Sequence, residues 1–201
     1  MIVLYFAPGT RSIRVRWLLE ELGLPYVLRR VTFKPPQEKV FAQDTPLGRL
    51  PVIEDGEMTM CESGAIIEYV LERYGNGRLA PPVGSPLRGE FLQWMYFAEA
   101  SAFPPLGVIV RHALYKGDAD KVAGAISDAR ERARTALDFV ERALDGKDYL
   151  LGGEFSAADV MMGFTLMAAR ALGVLDQAYP RLGQYLARLE ARPAFTASVE
   201  T

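Results

Sequence analysis

Residues Leu50–Val70 read LPVIEDGEMTMCESGAIIEYV. Two short apolar runs, Pro51–Ile53 and Met58–Cys61, flank an acidic turn, Glu54-Asp55-Gly56-Glu57. Asp-Gly between such runs is a strong hairpin signal. A polar pair, Glu62-Ser63, then hands the chain to a helical segment, Ala65–Tyr74, which Gly75-Asn76-Gly77 stops. The hairpin fixes a sheet edge and the helix after it. A polar pair at that handover, with a proline at the mouth of the strand before it, raises the question of what the segment holds.

N-terminal to this stretch, Ile2–Phe6 is β-rich and Pro8-Gly9 breaks it. Thr10 or Ser12 is expected to cap a helix whose apolar residues Ile13, Trp17, Leu18 and Leu22 recur at helical spacing. Gly23 and Pro25 end it. Tyr26–Thr32 reads as a second strand, and after Pro35-Pro36 only a short helix fits over Gln37–Ala42. The order β-α-β-α-β-β-α thus occupies residues 1–75.

From Gly75 to Pro86 the composition turns to Gly, Pro and Asn, which marks a linker over 76–86. Residues 87–201 lack strand alternation and read as all-helical. Pro104-Pro105 is expected to kink or split the helix over Leu87–Tyr115. Asp118–Leu144 carries charge on one face, with Asp128 and Arg132 one turn apart. Phe155-Ser156-Ala157-Ala158-Asp159-Val160 reads as a capping box with a hydrophobic staple, opening a helix over Val160–Leu172 that is apolar all round and therefore buried. The fold class is α/β plus all-α.

The chain has 201 residues, half of them hydrophobic, which is ample for two small domains. A net charge of −2 gives no global basic field, so nucleic acid is not an expected partner. The clusters Arg11, Arg14, Arg16 and Arg29, Arg30, Lys34 read mainly as solvated faces. One cysteine, Cys61, permits no intrachain disulfide and fits a reducing, cytoplasmic setting. No signal peptide and no membrane-spanning segment is read. One histidine and one cysteine make no zinc site, and no phosphate loop or dinucleotide fingerprint is present.

Five pieces in order carry a resemblance: LYFAPGTRSIRVRWLLEELGLPY, TPLGRLPVIEDG, ESGAIIEYV, WMYFAEASAFPPL and GGEFSAADV. Together they resemble the cytosolic glutathione S-transferases of bacterial type over nearly the whole chain. Thr45 stands where the family often has Asn. The resemblance implies a thioredoxin-like glutathione-binding domain over 1–75 and an all-helical domain over 87–201 that supplies the second-substrate pocket. It also implies a homodimer, with glutathione as co-substrate and no permanently bound cofactor or metal.

The resemblance also answers the opening question. It implies that the Leu50 backbone pairs with the cysteinyl part of glutathione beside a cis Pro51. It implies that Ser63 and the helix start hold the γ-glutamyl carboxylate, as a helix N-terminus favours an anion, and that Glu62 meets the ligand's ammonium group. Without a ligand, Glu62-Ser63 would simply cap the helix. For the glycine carboxylate, Lys39 and Arg11 are candidates, with Gln37 as a neutral donor and Arg49 as a further cation. For the second substrate, Phe103, Arg111, His112 and Tyr115 are expected on the helical segment by the Pro-Pro pair, with Pro8 and Gly9 as opposite wall. The bland reading of a lone His112 is structural.

A transferase must hold glutathione as thiolate. Each unit of pKa depression needs about 1.4 kcal/mol of preferential thiolate stabilisation. Four residues compete for that role. Thr10 sits where serine-type members carry their serine, Ser12 is the next hydroxyl, Tyr5 matches the tyrosine type, and Arg11 stands where a cysteine type carries its cysteine. Cys61 reads as core.

The expected activity is conjugation of glutathione to a small, mainly apolar electrophile, a detoxification chemistry, with peroxidase activity as an extension. The alternatives are a non-catalytic interaction or regulatory protein of this fold, or a glutathione-dependent isomerase or dehalogenase. Both Leu50-Pro51 and Glu62-Ser63 are present, which favours glutathione binding. Gly9-Thr10-Arg11-Ser12 in place of Ser-Ser-Cys argues against an isomerase.

Overall fold

A computed structural model of the chain describes residues 1–31 and 48–200. The chain divides into two compact units, Met1–Pro81 with Glu190–Thr201, and Pro82–Leu189.

In the first unit, β1 (Ile2–Phe6), β2 (Tyr26–Arg30), β3 (Val52–Asp55) and β4 (Met58–Cys61) form one sheet in the order β2-β1-β3-β4. β1 runs parallel to β2 and antiparallel to β3, and β3–β4 is the expected hairpin. Its two turn residues are Gly56 and Glu57, since Asp55 pairs with Met58. Gly56 has φ 63°, the left-handed value that a two-residue hairpin loop asks of its first position. This is the thioredoxin-like arrangement. The helix expected over Gln37–Ala42 lies outside the described residues.

Period-two alternation sorts the sheet's faces. Leu4, Phe6 and Ile53 are fully buried on one face, each stabilising by roughly 1.5–3 kcal/mol. Tyr5, Leu50 and Val52 share a cluster on the other, with Ala7, Val3 and Cys61. α1 (Ser12–Leu22) packs on β1 and against α2 (Ser63–Tyr74).

The last helix, α8 (Pro193–Val199), belongs to this unit and packs on α1, whereas the sequence assigns all of 87–201 to the helical domain. Phe195 meets Trp17 edge-on at 5.0 Å. The Arg16 guanidinium donates to the carbonyls of Ser198 and Glu200.

The second unit is helical: α3 (Arg88–Phe97), α4 (Phe103–Val110), α5 (Ala123–Ala143), α6 (Ala157–Ala171) and α7 (Pro180–Glu190), the last ending one residue beyond it. The proline pair does not split the α3–α4 segment. A π-helical turn, Ala98–Ala102, joins the two, and helical dihedrals persist through Ala98, Ala102 and Phe103. The prolines are the second and third residues of α4, directly after the π turn. The capping box forms, with Ser156 N–H donating to Asp159 Oδ2 at 2.8 Å. Phe155 meets the Tyr149 ring at 5.6 Å. α6 begins at Ala157, three residues before the expected Val160, and is buried along most of its length. Asp128 and Arg132 pair at 3.9 Å. Among the described residues no helix is long and apolar enough to cross a membrane.

Candidate functional site: the carboxyl end of β1

The sheet register gathers the candidate residues. β1 pairs Tyr5 with Val52, and β3 pairs Val52 with Cys61. Continuing that register places the end of β1, the Leu50-Pro51 step and the Glu62-Ser63 pair at the same end of the sheet. The Leu50–Pro51 peptide bond is cis. Both α1 and α2 begin there, so two helix N-termini flank one spot, a setting that favours an anion.

Glu62 is exposed and stands at φ 72°, ψ 107°. Such a conformation in a non-glycine residue costs of order 1–3 kcal/mol and is retained mainly at functional positions. The Glu62 side chain makes no cap bond to α2, so plain capping does not account for it. Ser63 is the first residue of α2, and its hydroxyl accepts from Arg14 Nη1 at 3.1 Å.

Three groups at the start of α1 form a ring. Ala7 N–H donates to Ser12 Oγ at 3.2 Å, Thr10 Oγ1 donates to Ala7 O at 2.7 Å, and the two hydroxyls lie 2.6 Å apart. Contrary to expectation, neither Thr10 nor Ser12 is the N-cap of α1. That position falls to Arg11, whose side chain makes no cap bond. Ser12 is fully buried, whereas Thr10 and Arg11 are half-buried and Pro8 and Gly9 are exposed.

Tyr5 stands in a different network. Its hydroxyl donates to Glu54 Oε1 at 2.5 Å and accepts from Arg29 Nη1. The Glu54 carboxylate, with burial, raises the phenol's pKa, so the proton is held where Glu54 takes it.

Arg49 is exposed, and Lys39 and Gln37 lie outside the described residues. In the second unit, Phe103 is 7% exposed and stacks on Phe164 at 5.7 Å, so it serves the core there. Arg111 is exposed and Tyr115 half-buried, both on a π-helical turn, Arg111–Lys116. His112 Nδ1 meets Asp118 Oδ1 at 2.7 Å, and its carbonyl accepts from the Gly117 and Asp118 N–H groups. The His112 contact holds the Asp118 carboxyl below the usual range.

Arg14 was missed as a site residue, because a charged residue in a basic cluster reads as solvated. In fact it is 0% exposed. The signal was there: Arg14 lies three and four positions before Trp17 and Leu18, on the apolar stripe of α1.

Residues 4–81 match the glutathione S-transferase N-terminal domain and residues 123–188 the C-terminal domain. Glutathione S-transferase-like protein OpS6 of Beauveria bassiana is 30% identical, over 92% of this chain and 88% of its own. The chain belongs to the glutathione S-transferase family. Glutathione S-transferase 3 of Schizosaccharomyces pombe is 28% identical, over 100% of this chain and 87% of its own. A glutathione transferase family member from Pseudomonas fluorescens, solved with two glutathione bound, is 25% identical, with TM-score 0.85 over 99% of this chain and 92% of its own. The enzyme class expected from the sequence, glutathione S-transferase, is the class these relatives carry.

Proposed function

We propose that this glutathione S-transferase conjugates glutathione to a small, mainly apolar electrophile. The observation that carries the reading is the convergence of Leu50-Pro51, Glu62-Ser63 and the start of α1 at one end of the sheet. The Leu50 backbone pairs with the cysteinyl residue of glutathione. Ser63 and the α2 N-terminus take the γ-glutamyl carboxylate, Glu62 takes the ammonium, and Arg11 or Lys39 takes the glycine carboxylate. The bound glutathione of the Pseudomonas fluorescens relative supports the choice of ligand.

Thr10 activates the thiol. Its hydroxyl is half-buried at the helix start, and Ser12, buried behind it, can donate to the Thr10 oxygen. The Thr10 proton then has two acceptors, the Ala7 carbonyl or a thiolate, and an ionised acceptor makes the stronger bond. The thiol loses its proton to solvent. The thiolate attacks the electrophilic carbon, a sulfur–carbon bond forms, and the displaced bond's electron pair leaves with the departing group. Arg111, His112 and Tyr115 are the candidates for contacting the second substrate. The protein acts in the cytoplasm, in detoxification, as a homodimer. Exposed Tyr96 and Phe139 in the helical unit are apolar surface that a second copy would cover.

The test is calorimetry of glutathione binding to wild type and Ser63→Ala, with thiolate absorbance followed against pH. Binding that Ser63→Ala weakens, with a depressed thiol pKa, is the expected result. Binding without depression points to a non-catalytic protein, and no binding sinks the site.

A further inference from the structure

A cavity of about 310 Å³ opens within the second unit, between the turn that follows α5 and one face of α7. Arg181, Gln184, Tyr185 and Arg188 stand at helical spacing on α7, so a single helix face makes one wall. The turn after α5 makes the other, with Lys147 and Asp148. The buried side chains Leu144 and Tyr185 also line it. The Tyr185 hydroxyl is given to Asp159, which leaves the ring as apolar floor. The volume suits a small organic molecule. None of these residues belongs to the candidate site at the end of β1.

Three cations line this cavity, Lys147, Arg181 and Arg188, against one carboxylate, Asp148. The other acids that pair with them stand outside the lining. Lys147 Nζ donates to Glu90 Oε1 at 3.1 Å, and Arg181 Nη2 donates to Asp145 Oδ1 at 2.7 Å. Asp145 is 73% exposed, so water screens it. Glu141, 3.6 Å from Arg181 Nη1, already accepts from the Arg181 and Leu182 N–H groups that open α7. The carbonyls at the end of α5 are used too, since those of Val140, Arg142 and Leu144 accept from Leu144, Asp145 and Lys147 N–H. That blunts the negative end of the helix, and the lining stays positive.

The arginines are held in place with donors to spare. Arg188 Nη1 donates to the Asp148 carbonyl at 2.7 Å, and its guanidinium lies over the Tyr149 ring at 5.9 Å. A guanidinium carries more N–H donors than these bonds use, in a planar fork that fits carboxylate and phosphate. Asp148 is 64% exposed, and an exposed pair of this kind contributes little, so an incoming anion can compete with it for Arg188. Arg181 and Arg188 are seven residues apart, about 10 Å along the helix axis. A ligand with an acidic group at each end engages both. We infer that the cavity between α5 and α7 is a second binding site, for a small organic anion that carries two or more carboxylate or phosphate groups and is gripped by Arg181 and Arg188. The inference does not depend on the glutathione-binding reading.

The experiment titrates citrate, pyrophosphate and acetate into the full chain by calorimetry at one fixed ionic strength. Saturable binding of citrate or pyrophosphate, one per chain, is the expected result, with acetate at least about tenfold weaker because it has one acidic group. Citrate alone assigns the site to carboxylates and pyrophosphate alone to phosphates, and either upholds the inference. Arg181→Gln and Arg188→Gln are each expected to weaken binding about tenfold, the scale of one charge-assisted hydrogen bond. Arg142→Gln removes an exposed arginine of α5 that does not line the cavity, and is expected to bind within about twofold of wild type. Should one cavity variant fail to fold, the other decides. No saturable binding of citrate or pyrophosphate overturns the inference. So does binding that the cavity variants leave unchanged, or a loss in Arg142→Gln equal to theirs, which would report only the chain's net charge.

Discussion

Arg192 grips Glu21 with two hydrogen bonds, Nε to Oε1 at 2.6 Å and Nη2 to Oε2 at 2.8 Å. Glu21 Oε1 also accepts from the Trp17 indole at 2.9 Å, so one carboxylate joins the core of α1 to the residue that precedes α8. The Glu21 side chain is only 9% exposed. Removing Arg192 leaves that carboxylate short of its partner in a poorly solvated place. Arg192→Ala is expected to destabilise the protein by about 2 kcal/mol, less than a fully buried pair because Arg192 itself is partly exposed. Urea unfolding checks this. The double substitution Glu21→Gln with Arg192→Met should recover part of the loss.

Of the three hydroxyls the sequence offers for thiol activation, Thr10 and Ser12 stand in a different setting from Tyr5. Thr10→Val is expected to raise the pKa of bound glutathione by about one unit, about 1.4 kcal/mol, and to lower kcat/KM about tenfold. Tyr5→Phe is expected to change kcat/KM less than about twofold, because its proton is already given to Glu54. Stopped-flow titration of thiolate absorbance and steady-state turnover separate the two. A tenfold loss in Tyr5→Phe with no loss in Thr10→Val would reverse the assignment.

The parts of this fold that the sequence makes legible are those with local causes. A turn dipeptide sets the β3–β4 hairpin, and side chains three residues apart set the capping box of α6. The π turn at Ala98–Ala102 has no such letter code. Pro104-Pro105 signals a break, and only the observed backbone shows the prolines absorbed in the first turn of α4. The Glu21–Arg192 pair that helps tie α8 to the first unit spans 171 positions, and no local pattern reports a contact that distant. In the site, Leu50-Pro51 and Glu62-Ser63 were legible as motifs. Arg14 was not, because its helix face argued for burial while its charge argued for water, and Ser63 as its neighbour appears only in three dimensions.

Asp159 accepts from four donors at once: Leu150 N–H at 2.9 Å, Ser156 N–H at 2.8 Å, Ser156 Oγ at 3.0 Å and Tyr185 OH at 2.7 Å. Loss of a whole buried hub differs from loss of one spoke. Ser156→Ala removes the cap hydroxyl and is expected to cost about 1 kcal/mol. Asp159→Ala orphans several buried donors and is expected to cost about 3 kcal/mol or more. Chemical unfolding of the two variants should keep that order. Equal costs would mean that the box acts only through the serine.

Asp55 predicts how the fold answers acid. The hydroxyls of Tyr69 and Tyr74 donate to Asp55 Oδ2 at 2.8 and 2.5 Å, and Arg73 Nε stands 3.8 Å from the same oxygen. The Asp55 side chain is 7% exposed, and burial alone would raise its pKa. The Tyr74 hydrogen bond, aided by Tyr69 and Arg73, outweighs burial and holds the carboxyl below its usual value, while Tyr69 is pushed up to about 12. A group whose folded pKa is depressed binds its proton more readily in the unfolded chain. Its stabilisation is therefore complete above the unfolded value, about 3.9, and is lost as pH falls through the folded value. Asp55→Asn removes the titration but keeps an acceptor oxygen. The wild-type advantage over Asp55→Asn in urea midpoint should stay constant from neutral pH down to about 5 and shrink below about 4. An advantage that instead grows as pH falls would show the carboxyl to be better held when protonated, and would overturn the assignment of the two tyrosines as donors to a carboxylate.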